Sequence, residues 1–168
     1  MITTPNLNSK PGFFFALFFL VLLTLGILFL IQKNSQTITP QTTQVSDPFV
    51  EINQKKIFVE LANTPDKKTK GLSGKTSLEE NKGMLFDYKV KNIPGFWMKD
   101  MKISIDIIWI ADNTVIDIDK EVQPQPGVPD SGLKIYQPKE PINYVLEVNS
   151  GYSDKNGIDI GSEVKFSI

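Results

Sequence analysis

Two kinds of apolar pattern run along this chain of 168 residues. From Gly12 to Ile31 it reads GFFFALFFLVLLTLGILFLI, with no charge, amide or proline. At roughly 1.5 Å per residue such a run makes a helix about as long as a bilayer core is thick. A helix in a globular core would keep a polar stripe, and this one has none. After Phe49 the pattern changes to short runs of period two, broken by Gly, Pro, Asn and Asp.

Phe49-Val50-Glu51-Ile52, the polar Asn53 to Lys56, and Ile57 to Ala62 predict an opening hairpin. Thr64-Pro65-Asp66 supplies an N-cap, a first-turn proline and an acid at the positive helix end. A short helix should follow through Lys70 and stop at Gly71 or Gly74. Ser77 to Glu80 predicts a second helical turn, and Met84 to Tyr88 a buried strand. The next run alternates, with Ile103, Ile105, Ile107 and Trp109 on one face and Ser104, Asp106, Ile108 and Ile110 on the other. Ala111 to Thr114 turns into Val115 to Val122, where Ile116, Ile118 and Val122 should face away from Asp117, Asp119 and Glu121.

Gln123 to Pro141 is a long proline-rich loop, a kind of segment that is usually functional or disordered. Asn143 to Val148 predicts a strand, Ser150 to Gly157 a helical turn, and Val164 to Ile168 the last strand. The expected fold class is mainly β: a compact antiparallel β-sandwich or barrel with two or three short helices, preceded by one N-terminal transmembrane helix.

The chain thus divides into a short cytoplasmic N-terminus (1–11), a transmembrane signal anchor (12–31), a polar linker (32–48) and the β domain (49–168). The apolar run exceeds a signal-peptide core of about 7–15 residues, and no small-x-small site follows closely, so the anchor is expected to stay uncleaved. Lys10 with the amino terminus, against Lys33 alone beyond the span, favours N-in, C-out. The expectation is a single-pass membrane protein, held by Gly12 to Ile31, with its C-terminal domain outside the cytoplasm.

Composition narrows the chemistry. The net charge is −1, and all 18 basic residues are lysine. Without the arginine fork, reading of phosphate or guanine loses its best tool, and no nucleic-acid partner is expected. The absence of histidine and cysteine excludes a Ser-His-Asp triad, a Cys-His pair, imidazole or thiolate zinc sites, and disulfides. Asp117, Asp119 and Glu121, two apart along a strand, describe a solvated face better than a calcium site. No metal and no cofactor are expected.

Gly95 to Ile110 gathers both tryptophans, two methionines, two lysines and two aspartates. Within it, Asp106 is embedded in an apolar strand, as Glu147 is further on. Buried carboxylates need partners, and backbone N–H groups, Lys75, Lys99 and Lys102 are the candidates, with Lys99 expected to pair with Asp106 or Glu147. Asp106 and Glu147 are also the catalytic candidates. Two carboxyls about 5 Å apart, or about 6.5–9.5 Å apart, suffice for glycoside hydrolysis without histidine. Trp97 follows a Pro-Gly turn, where it either stacks on a sugar between Phe96 and Tyr136 or plugs one end of the barrel. The candidate ligand-binding set is Lys75, Phe96, Trp97, Lys99, Asp106, Tyr136 and Glu147.

Five segments stand in order: Gly71-Leu72-Ser73-Gly74-Lys75, Gly83-Met84-Leu85-Phe86, Phe96-Trp97-Met98-Lys99-Asp100, Ile105-Asp106-Ile107-Ile108, and Tyr144 to Gly151. Together they resemble the bacterial and archaeal family catalogued as domain of unknown function 192, over about Phe49 to Ile168. The resemblance implies a mostly β, sandwich- or barrel-like domain, often exported behind an N-terminal signal or anchor, with no established activity. Ser73 and Lys75 stand where that family usually has Met and Arg, and Asp100 where it usually has Asn. The loop before Tyr144 lacks the cysteine pair of many members. The expected function is binding of a cell-envelope ligand such as a glycan. The rivals are a carboxylate-dependent hydrolase using Asp106 and Glu147, and a protein-docking or assembly module using the proline loop.

Overall fold

The computed structural model describes residues 47–168. The predicted anchor at 12–31 and nearly all of the linker lie outside the described residues. Among the described residues, no helix is long and apolar enough to cross a membrane.

The domain is one curled sheet of seven strands. They are β1 (Phe49–Ile52), β2 (Lys55–Ala62), β3 (Lys82–Asn92), β4 (Ile105–Ala111), β5 (Thr114–Val122), β6 (Ile142–Asn149) and β7 (Val164–Ser167), in the order β5-β4-β6-β3-β2-β1-β7. Helices are brief: α1 (Pro65–Lys70), α2 (Tyr152–Lys155) and a 3₁₀ turn at Asp130–Gly132. The predicted opening hairpin forms, with Asn53 and Gln54 at positive φ in a two-residue turn that lets Ile52 face Lys55. The predicted α1 also forms. The Thr64 hydroxyl accepts from Lys67 N–H, and Gly71, at φ 50°, closes the helix onto the Lys67 carbonyl.

β5 and β7 lie at opposite ends of the strand order, yet their ends meet. Val115 N–H donates to Ser162 (3.0 Å), Gly161 N–H to Val115 (2.8 Å) and Val164 N–H to Asn113 (2.7 Å). The sheet therefore curls into a half-barrel whose edges touch at one corner. Inside the curl lies one core, built from Val50, Ile57, Leu85, Ile108, Leu146 and Val148. On the outer face lies a second, where Met84, Phe86, Ile107, Trp109 and Val145 are covered by Leu72, Phe96 and Met98. β4 is buried on both faces because it runs between the two cores.

Four expectations need correction. The pairing is not wholly antiparallel, because α1 and the turns after it carry the chain across so that β2 and β3 run parallel. No helix forms at Ser77 to Glu80, where the Asn149 amide binds the carbonyls of Leu78 and Glu79 and holds the segment open. The alternation along β5 is broken by two register shifts against β4. These put Ile118 with the inner core and Ile116 and Val122 with the outer one. Finally, β3 runs well beyond Tyr88, and β4 starts at Ile105.

Candidate functional site

The sheet separates the two acids proposed as a pair. Asp106 faces Val148 across β4 and β6, and Val148 belongs to the inner core. Glu147 faces Ile107 on β4 and Met84 on β3, both in the outer core. Directly paired residues share a face, so the carboxyls point to opposite sides of the sheet. They do not form the two-carboxylate arrangement that glycoside hydrolysis needs.

Asp106 is fully buried and fully used. Its Oδ1 accepts from the N–H groups of Glu121 (2.8 Å) and Gly151 (3.0 Å), and its Oδ2 from Ser153 N–H (2.9 Å). Glu121 and Gly151 both have positive φ. The carboxylate thus ties the irregular end of β5 and the entry to α2 onto β4. Backbone donors, not lysines, satisfy it.

Glu147 is just as deep and has no such partners. Its Oε2 is buried without a hydrogen bond, and burial pushes its pKa up to about 8. The side chain forms the base of a small cleft on the outer face, with Phe86, Tyr88, Gly71, Phe96 and Trp97 in its walls and Lys68 and Lys70 at its lip. The cleft volume is about 50 Å³, room for a few waters. Gly71 keeps that space open, since a Cβ there would lie 3.4 Å from Phe86 Cζ and 3.9 Å from Glu147 Oε2. Burial, and after it the nearby Glu147 charge, raise the Tyr88 pKa. Lys68 Nζ lies 4.1 Å from the centre of the Tyr88 ring, within cation–π reach.

The aromatic pair divides its work. Phe96 is buried, edge-on to Phe86 and Trp109 at ring distances of 4.8 and 5.3 Å. Its backbone exchanges two hydrogen bonds with Tyr136, at 2.9 and 2.8 Å. Trp97, next in the chain, turns outward and is 45% exposed, whereas Trp109 is completely buried. The Trp97 ring lines the cleft and is open to solvent.

Of the sequence candidates, the cleft gathers Phe96, Trp97 and Glu147. Lys75 pairs instead with Glu60 at 3.0 Å. Lys99 pairs with Asp130, not with Asp106 or Glu147, and its Nζ lies 6.0 Å from the Trp97 ring centre. Tyr136 backs Phe96, with Lys134 Nζ 4.2 Å over its ring. Lys68, Lys70, Gly71 and Tyr88 were not among the ligand-binding candidates read from the sequence. For Tyr88 a signal existed, since it has the parity of Met84 and Phe86 on β3.

Larger hollows lie elsewhere, of about 390 Å³ beside Glu60 and Lys75 and about 530 Å³ beside Lys99 and Asp130. Ion pairs cross both. The Glu147 cleft joins an unsatisfied buried carboxyl oxygen to an exposed ring.

Fold and cleft together define a curled-sheet domain whose outer-face cleft holds a buried, unsatisfied acid beside an exposed indole. The chain belongs to the DUF192 family, described as "Uncharacterized ACR", whose profile matches residues 49–166. Two solved structures are similar. A proposed transcription regulator from Sinorhizobium meliloti 1021 is 27% identical with a TM-score of 0.64, over 71% of this chain and 92% of that one. A protein of unknown function from Novosphingobium aromaticivorans DSM 12444 is 28% identical with a TM-score of 0.63, over 70% and 83%. No curated protein matches the chain.

Proposed function

We propose that this is a membrane-anchored, extracytoplasmic binding domain that recognises a glycan of the cell envelope on Trp97 and in the Glu147 cleft. The observation that carries the reading is an exposed indole lining the same cleft as a buried carboxyl with a free oxygen. Sugar rings present an apolar face that stacks on an aromatic side chain, and hydroxyls that hydrogen-bond beside it. The cleft is too small to enclose a sugar, so it takes one substituent while the ring lies on Trp97. The apolar run from Gly12 to Ile31 supports the anchor, and the polar linker gives the domain reach from the bilayer. A transcription-regulator role, as proposed for the Sinorhizobium protein, fits this chain poorly, because a net charge of −1 without arginine suits nucleic acid poorly.

Intrinsic fluorescence tests the reading, since Trp97 is exposed and Trp109 is not. The full chain in mild detergent is titrated with neutral and acidic oligosaccharides. A saturable change in emission is expected, lost in Trp97→Ala while the unfolding midpoint stays in place. No saturable change with any of them would remove the glycan proposal.

A further inference from the structure

The charge around the Glu147 cleft specifies the ligand more closely, and this step rests on the glycan reading above. We propose that the cleft takes the carboxylate of an acidic sugar, which lies against Lys68 and Lys70 at the lip and accepts a hydrogen bond from Glu147 at the base.

Three observations support this. Lys68 and Lys70 form no ion pair among the described residues, although nine other lysines do. Glu147 is the only acid in the lining, so the mouth of the cleft is net positive and repels a cationic ligand. The buried oxygen of Glu147 has no donor or acceptor from the protein, and the space over it suits a carboxylate group.

The protonation state fits as well. With its pKa near 8, Glu147 is neutral at pH 7 and can donate O–H to an anionic oxygen, a short and strong class of hydrogen bond. The other titratable groups facing it are Lys68 and Lys70 from α1 and Tyr88 from β3, and burial raises the pKa of Tyr88. Above pH 8 the Glu147 charge would oppose the ligand charge, and affinity should fall by about tenfold per pH unit.

The test titrates the full chain with trigalacturonate, neutral galactotriose and inorganic phosphate, using Trp97 emission and, for phosphate, competition. Trigalacturonate should bind at least about tenfold more tightly than galactotriose at pH 6.5, the scale of one desolvated charge contact. Its affinity should drop about tenfold by pH 9. Glu147→Gln keeps a donor but cannot ionise, so it should bind trigalacturonate equally at both pH values. Lys68→Ala with Lys70→Ala should lose the preference for the acid and keep weak binding of the neutral sugar. Equal affinity for the two sugars would overturn the acidic-sugar proposal and leave the glycan reading standing. Phosphate competing as well as trigalacturonate would make the ligand a free anion, which also overturns it. Affinity that rises with pH would exclude Glu147 as the donor.

Discussion

Asp106 and Glu147 stand on neighbouring strands, β4 and β6, and are 0% and 5% exposed. Inside the curl, Asp106 receives three backbone N–H bonds and joins three segments of chain. On the outer face, Glu147 receives none at Oε2 and opens into a cleft. Burial is nearly the same, and the difference lies wholly in the donors. A buried acid surrounded by backbone N–H groups is a fastener. One left without them is either a defect or a site, and an exposed tryptophan in the same cleft favours the site.

That contrast can be broken by removing each acid in turn. Asp106→Ala strands three buried N–H donors and should lower the unfolding free energy by about 3–5 kcal/mol. Urea unfolding followed by circular dichroism measures this, and a loss below about 1 kcal/mol would show that the three bonds are dispensable.

Glu147 should act in the opposite sense. Its folded pKa, about 8, lies above the 4.5 of the free side chain, so the folded chain holds a proton that the unfolded chain releases. Its contribution is full below pH 4.5, declines as pH rises, and is lost once pH passes about 8. Glu147→Gln removes the titration and should stabilise the chain at pH 8 by up to about 4 kcal/mol, with little change at pH 4.5. Unfolding midpoints across this range would decide it. A wild-type stability that rises between pH 5 and 8 while the variant's stays flat would contradict the assignment.

The smallest effect should come from Trp97. Trp97→Ala removes a half-exposed ring beside the outer core and should change stability by no more than about 0.5 kcal/mol. A thermal shift far larger than that would make Trp97 a packing residue and weaken the comparison.

Much of the β pattern was legible because most strands here obey a simple period. Alternation along Ile103 to Ile110 correctly put Asp106 with Ile108 and Ile110, and Gly71 could be read as a helix stop from its place after Lys70. The faces of β5 were not legible, because its two register shifts arise in its pairing with β4, not in its own sequence. The parallel β2–β3 pair was hidden for a related reason, since strand direction after a crossover is a tertiary choice. Asp106 and Glu147 were rightly singled out as acids in apolar strands. Their separation was not legible, because it needed the registers of β4 with β6, in which Asp106 opposes Val148 and Glu147 opposes Ile107. Nothing in the sequence marked Lys68 or Lys70, because it is the placement of α1, with Lys68 over Tyr88, that brings them to the cleft.

The pairing of β1 with β7, in which Phe49 lies opposite Ser167, has a consequence for how the domain is made. β1 is among the first parts of the domain to leave the ribosome, and its partner is among the last. One side of β1 can pair with β2 at once, but the other must wait for more than a hundred residues. The sheet therefore cannot be completed until β7 has emerged, and until then the nascent domain carries an unpaired edge that other chains can bind.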